Sequence, residues 1–150
     1  MINDEEIEQC IKCMKDNIHM SYENDIIIDF TAKEGNFVDK TQNLVRMSLF
    51  YDENPTHPLV QKMNFLDLDF DKFNKTYLSG LWFDDIHVIG KPHTDNIHEC
   101  IEIACNFAQT ISFILPKNKF KYTFPSSFKC LFKTNLDKLN DFEIWIKTDY

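Results

Sequence analysis

The sequence is poor in glycine and arginine. Its 150 residues include only three glycines and a single arginine, Arg46. A loop that binds phosphate through its backbone needs several closely spaced glycines, and nucleotide recognition commonly relies on arginine. The shortage of both residue types argues against a nucleotide-dependent family, and we expect the protein to need no cofactor.

The patterns of a membrane or secreted protein are also missing. No apolar run approaches the roughly 20 residues that a spanning helix needs, and the N-terminus does not resemble a signal peptide. The cysteines are odd in number, and their spacing suits neither a disulfide framework nor a zinc site. They are Cys10, Cys13, Cys100, Cys105 and Cys130. We therefore expect a cytoplasmic protein with reduced thiols and no bound metal.

Negative charge is concentrated in the first two thirds of the chain. The net charge is −8, and residues 1–102 hold 20 acids against 9 Lys and Arg, whereas residues 103–150 hold 4 acids against 7 Lys. An acidic surface repels phosphates, so we expect no direct binding to nucleic acid and none to a membrane. Lysines alternate with aromatic residues in residues 117–133, which is typical of a protected edge strand. Such patterns also bind nucleic acid, so the role of this stretch stays open.

The apolar periodicity predicts a single domain over residues 1–150. Acids crowd the start of an N-terminal helix in which Ile7, Ile11 and Met14 share one face. A stripe over residues 95–115, ended by Pro116, predicts a long helix. Strands are predicted at residues 25–31, 44–51, 63–71, 77–89, 120–124, 128–133 and 142–148. Since strands and helices do not alternate, we expect an α+β fold with a mostly antiparallel sheet packed by the two helices.

Carboxylates alternate with apolar residues in the segment around Asp67, Asp69 and Asp71. In a strand, the three acids would share one face, and Leu66, Leu68 and Phe70 would face the core. Such a row is tolerated when it is solvated, bound to metal or opposite a basic partner. Calcium loops of the EF-hand type need Gly and Glu where this chain has Lys72 and Leu78. The row therefore indicates either a solvated strand face or a surface that binds a basic partner.

Neighbouring residues extend this predicted surface. Asp84 and Asp85 join the acidic patch if the next strand pairs with it, and Tyr77 and Trp82 could serve as aromatic anchors. We assign no catalytic residue and no metal ligand.

A small, acidic α+β protein with an aromatic-rich core and no catalytic motif resembles bacterial toxin-immunity proteins, such as the partners of contact-dependent inhibition and polymorphic toxins. The resemblance covers the whole chain in size, charge and lack of motif. It implies a non-enzymatic protein that binds one cognate toxin domain, often a basic nuclease, and neutralises it through the acidic surface.

Two other functions remain open. A small-ligand-binding or enzymatic α+β domain would place a pocket between the long helix and the sheet. A viral or phage protein could use the acidic surface to mimic the charge of nucleic acid.

Overall fold

The N-terminal helix forms as predicted. Helix α1 (Asp4–Asn17) has three acids in its first turn and Lys15 in its last, which suits the helix dipole. It buries Ile7, Cys10 and Met14 on one face. The computed structural model describes residues 4–69, 85–106, 108–117, 122–134 and 141–148.

Seven strands form one mixed sheet. They are β1 (Ile26–Asp29), β2 (Met47–Asp52), β3 (Gln61–Lys62), β4 (Ile86–Gly90), β5 (Thr110–Pro116), β6 (Phe128–Lys133) and β7 (Phe142–Lys147). The order across the sheet is β3-β2-β1-β4-β5-β7-β6. Strands β1 to β5 pair in parallel, and only β7 runs antiparallel to its neighbours β5 and β6.

The predicted fold class is therefore wrong, because the sheet is mostly parallel and not mostly antiparallel. The central strand shows the reason. All four residues of β1, Ile26 to Asp29, are buried, so both faces of the strand are covered. A continuous apolar run of this kind is typical of parallel strands between two helical layers.

The predicted long helix over residues 95–115 is also wrong. A 3₁₀ turn (Thr94–Asn96) leads into the short helix α2 (Ile97–Cys105), and Thr110–Pro116 forms strand β5. Six of the seven residues of β5 are buried, because the strand lies inside the sheet. An apolar run buried on both faces satisfies a helical period as easily as a strand period, which explains the error.

The two helices cover opposite faces of the sheet. Ile26 and Ile28 of β1 pack in one core with α2, whereas Ile27 packs in a second core with α1. Alternate residues of a strand point to opposite faces, so α1 and α2 flank the sheet in an α/β/α arrangement. In the part of the chain that the structure describes, no helix has the length and apolar character needed to cross a membrane.

The acidic segment does not form a strand over its described part, which ends at Asp69. Phe65–Asp67 forms a 3₁₀ turn, capped by the Asn64 side chain, which accepts a hydrogen bond of 3.0 Å from the backbone N–H of Leu66. Phe65 is buried, but Leu66 is 40% exposed, contrary to its predicted place in the core. The side-chain cap gives the backbone a local partner, which competes with pairing in the sheet.

Candidate ligand-binding site

A cleft opens at the carboxyl ends of the parallel strands. It has a volume of about 610 Å³, and loops after β1, β2 and β4 form its walls, with Pro116 at the end of β5. The chain runs outward from β1 through β2 to β3 and then returns to the other side of β1 as β4. Ligands of open α/β sheets bind at such a reversal of strand order.

A buried carboxylate joins the loops after β1 and β4. Asp29 Oδ1 accepts hydrogen bonds from Thr31, at 2.8 Å from the backbone N–H and 2.9 Å from the hydroxyl. The Thr31 hydroxyl oxygen in turn accepts the backbone N–H of Lys91 at 2.8 Å. Asp29 therefore fixes the positions of two loops that border the cleft.

Burial raises the pKa of Asp29 to about 7, and the two hydrogen bonds from Thr31 offset only part of this effect. The charge of Asp52 raises the Asp29 pKa further. Asp29 Oδ2 has no hydrogen-bond partner among the described residues. Gly90 explains how the loops can pack so closely, because a Cβ at this position would lie 2.8 Å from Asp29 Oδ1 and still nearer the Thr31 hydroxyl.

A second carboxylate stands at the end of β2. Asp52 is half-buried and lines the cleft, and its Oδ2 accepts the backbone N–H of Asn54 at 2.9 Å. Its backbone oxygen accepts the N–H of Met63 at 2.9 Å. Strand β2 thus presents Asp52, followed by the exposed Glu53, to one side of the cleft.

Apolar side chains form part of the cleft wall. The rings of Phe30 and Phe65 stack with centroids 4.4 Å apart, and Leu66 exposes apolar surface beside them. Cys100 of helix α2 also reaches the cleft. Burial raises the pKa of the Cys100 thiol to about 12, so this group stays protonated and is not a nucleophile at neutral pH.

Two lysines also line the cleft. Lys33 lies in the loop after β1, and Lys91 directly follows β4. The Lys91 ammonium lies 3.4 Å from both carboxylate oxygens of the buried Glu6 of α1. Asp52 ends β2 and Lys91 follows β4, so strand β1 lies between them and the two strand ends are roughly 10 Å apart.

The described residues of the predicted acidic surface lie outside the lining of this cleft. Asp67 and Asp69 are exposed and do not line it, although Asp67 adjoins Leu66, which does. Asp85 directly precedes β4 and so lies toward the opposite edge of the sheet. The other predicted partner-binding residues lie outside the described residues. They are Asp71, Tyr77, Trp82 and Asp84. Phe70, which was predicted to face the core, also lies outside the described residues.

Sequence reasoning missed Asp29, Asp52 and Lys91, which the parallel sheet brings to one edge. A signal existed, because Asp29 and Asp52 each end an apolar strand. On helix α2, His98 Nε2 lies 2.9 Å from Glu102 Oε1, and both side chains are exposed. No cluster of three or more metal-binding side chains occurs within the described ranges.

No known protein family and no curated protein matches this sequence. Solved structures do share its fold. The 23S rRNA methyltransferase ErmE superposes with a TM-score of 0.64 at 10% identity, covering 100% of this chain and 69% of its own. The protein yhhF from Escherichia coli, also titled a methyltransferase, superposes with a TM-score of 0.53 at 10% identity, covering 99% and 89%.

These likenesses contradict the resemblance to toxin-immunity proteins, and with it the expected roles in toxin inhibition and contact-dependent inhibition. They also contradict the expectation of a non-enzymatic protein, because both neighbours are methyltransferases by title. The open alternative of a small-ligand-binding or enzymatic domain fits better, although the fold is α/β and not α+β. The chain is similar in fold to methyltransferases.

Proposed function

We propose that this chain binds S-adenosylmethionine in the cleft and acts as a methyltransferase. The observation that carries the proposal is the position of Asp52, a carboxylate at the end of the strand next to β1, beside the reversal of strand order. Carboxylates at this place in nucleotide-binding α/β sheets accept hydrogen bonds from ribose hydroxyls. The shared fold supports the same reading.

The residues present fit a nucleoside. Asp52 Oδ2 accepts a hydrogen bond from the backbone N–H of Asn54. Asp52 Oδ1 bonds to no described residue, so this oxygen can accept a hydrogen bond from a ribose hydroxyl. Leu66 and the Phe30–Phe65 stack provide apolar surface for a purine base. The cleft volume of about 610 Å³ is within the roughly 300–1,000 Å³ of small-molecule sites.

When bound, S-adenosylmethionine would supply a methyl group from its sulfonium to a nucleophile of the acceptor, and neutral S-adenosylhomocysteine would be the leaving group. The contribution of this chain is therefore to bind and orient. Asp52 holds the ribose, Leu66 and Phe65 flank the base, and the Asp29–Thr31–Lys91 connection fixes the two loops nearest the centre of the cleft. Orientation of two reactants is itself a large source of rate acceleration.

The loop after β1 departs from a glycine-rich loop. Its one glycine is Gly35, and a Cβ there would lie 2.7 Å from the His57 ring, so the open side of Gly35 faces the protein. The backbone of Gly35 therefore does not contact a ligand in the cleft. For this reason, the glycine pattern of the sequence does not reveal the site.

Two expectations stay proposals. We retain a cytoplasmic location, in which the five cysteines remain reduced. A basic protein partner, attracted by the acids of residues 1–102, is likewise untested by the fold.

The proposal is tested by calorimetric titration with S-adenosylhomocysteine, the product of methyl transfer. Asp52→Asn should weaken binding by about tenfold, because the amide NH2 then takes the place of Oδ1 and cannot accept a hydrogen bond from the ribose. The amide oxygen can still accept from Asn54, so the turn is kept. Glu23→Gln removes the same charge at an exposed position before β1 and should leave binding unchanged.

Equal affinity of the wild type and Asp52→Asn would remove Asp52 from the site. If the wild type does not bind S-adenosylhomocysteine at all, the proposed function is wrong.

A further inference from the structure

Lys33 has a backbone conformation that its residue type disfavours. Its φ is +46°, and the only other described non-glycine residue with positive φ is Asp39, at +67°. The left-handed region brings Cβ close to the following carbonyl oxygen, so glycine is the favoured residue there. Backbone strain of this kind is concentrated at functional sites, and Lys33 lies at the wall of the cleft.

The surroundings of Lys33 explain what its side chain can bind. The residue is exposed and lines the cleft, and no described residue forms an ion pair or side-chain hydrogen bond with its ammonium group. Its backbone oxygen accepts the N–H of Thr56 at 3.4 Å, which is a weak tie between loops. The side chain therefore contributes little to the fold, and its charge is available to a ligand.

The second lysine of the cleft is less available. Lys91 is 31% exposed and faces the Glu6 carboxylate at 3.4 Å, which neutralises much of its charge. Asp52 and Glu53 make the β2 side of the cleft repulsive to anions. Lys33 is thus the free positive charge among the described residues that line the cleft, His93 aside.

We propose that Lys33 recognises an oxyanion on the ligand of this cleft. Two sources share that chemistry, the carboxylate of the methyl donor and a phosphate of the methyl acceptor. The inference rests on the proposed function for the identity of the donor. It assigns Lys33 the task that closely spaced glycines would perform in a backbone anion site.

The key variant is Lys33→Gly, with Asp39→Gly as its matched control. Both changes relieve a left-handed backbone, so both should raise the midpoint of thermal unfolding. Asp39 does not line this cleft. Only Lys33→Gly should therefore lose ligand affinity, and a variant that is more stable but binds less tightly cannot be explained by damage to the fold.

Three probes separate the sources of the oxyanion in calorimetric titrations. S-adenosylhomocysteine carries a nucleoside and a carboxylate, 5′-methylthioadenosine carries the nucleoside alone, and pyrophosphate carries only phosphate. If Lys33 binds the donor carboxylate, Lys33→Gly weakens S-adenosylhomocysteine by about tenfold and leaves 5′-methylthioadenosine unchanged. If it binds an acceptor phosphate, only pyrophosphate is weakened.

The inference is overturned if Lys33→Gly binds all three probes as tightly as the wild type, if the wild type binds none of them, or if Lys33→Gly lowers the unfolding midpoint while Asp39→Gly raises it. A wild type that binds pyrophosphate through Lys33 but neither adenosine compound refutes the proposed function and leaves this inference standing.

Discussion

At the scale of single residues, the buried carboxylate of Asp29 has the most measurable consequence. Its pKa is raised from 3.8 to about 7 because burial disfavours the charged form. The folded state therefore holds a proton in a pH range where the unfolded state has released it. By linkage, stability falls as pH rises from about 4 to about 7 and is then constant with respect to this group.

We predict that Asp29→Asn reduces this loss of stability. The amide oxygen can still accept from Thr31, so the loop keeps its hydrogen bonds, while the titrating group is removed. Urea unfolding at pH 5 and pH 8 measures the effect: the wild type should lose more stability between the two pH values than Asp29→Asn does.

Glu23→Gln serves as the control, because Glu23 is exposed and its removal should leave the pH dependence of the wild type intact. If Asp29→Asn and the wild type lose the same stability between pH 5 and pH 8, Asp29 does not titrate in this range.

Residue-level reasoning from the sequence could not find this site, because the three groups that define it are far apart in the chain. Asp29, Asp52 and Lys91 become neighbours only through the parallel order of β2, β1 and β4. The acidic row at Asp67 and Asp69 was conspicuous because its members are adjacent in sequence. Local spacing thus drew attention to an exposed segment, while the cleft depended on topology.

At the scale of elements, a buried polar cluster connects the beginnings of three strands. His87 of β4 has Nε2 2.8 Å from Asp25 Oδ2, and its Nδ1 hydrogen-bonds to the hydroxyl of Thr110 at the start of β5. Asp25 Oδ2 also accepts the backbone N–H of Ser21 at 3.0 Å. Every ring nitrogen has a partner, which is what burial of a histidine requires.

We predict that Thr110→Val destabilises the fold by about 1–3 kcal/mol, because the isosteric side chain leaves His87 Nδ1 buried without a partner. Thr56→Val, at an exposed position, should change stability by less than about 0.5 kcal/mol. Chemical denaturation of both variants gives the comparison. A loss in Thr110→Val no larger than that in Thr56→Val would show that the cluster contributes nothing.

Several elements were predicted well. Strands β1, β6 and β7 lie within two residues of their predicted bounds, and helix α1 buries Ile7 and Met14 of its predicted apolar face. Strand β5 was assigned to a helix because both of its faces are buried, which removes the alternation that identifies a strand. The run Ile26-Ile27-Ile28 in β1 is likewise buried on both faces, which is typical of a strand in a parallel sheet.

At the scale of the whole molecule, the position of the cleft follows from the strand order alone. The chain enters the sheet at a middle strand, adds strands on one side and then continues on the other side. A crevice forms beside the first strand, where the order of strands reverses. Here that crevice collects a carboxylate from β2, apolar rings after β1 and β3, and lysines from the loops after β1 and β4. The likeness to two solved structures at 10% identity shows that the same fold forms from very different sequences.

The overall acidity does not identify the function. The net charge of −8 suggested a basic partner, yet both carboxylates and lysines line the cleft. Total charge governs solubility and association rates, whereas ligand choice depends on which charges reach the site. The total charge can be read from the sequence. Which charges reach the site depends on the strand order, which the sequence did not reveal.

The most direct test of the account is a two-dimensional ¹H–¹⁵N spectrum recorded as S-adenosylhomocysteine is added to the wild-type protein. We predict that the shifted amides belong to residues 30–36, 52–54, 64–66 and 91–96, which border the cleft. Amides at the opposite edge of the sheet, including those of residues 21–25 and His87, should not move. A saturating change confined to residues away from the cleft, or no change at all, would contradict the proposal that this sheet binds the methyl donor at the carboxyl ends of its parallel strands.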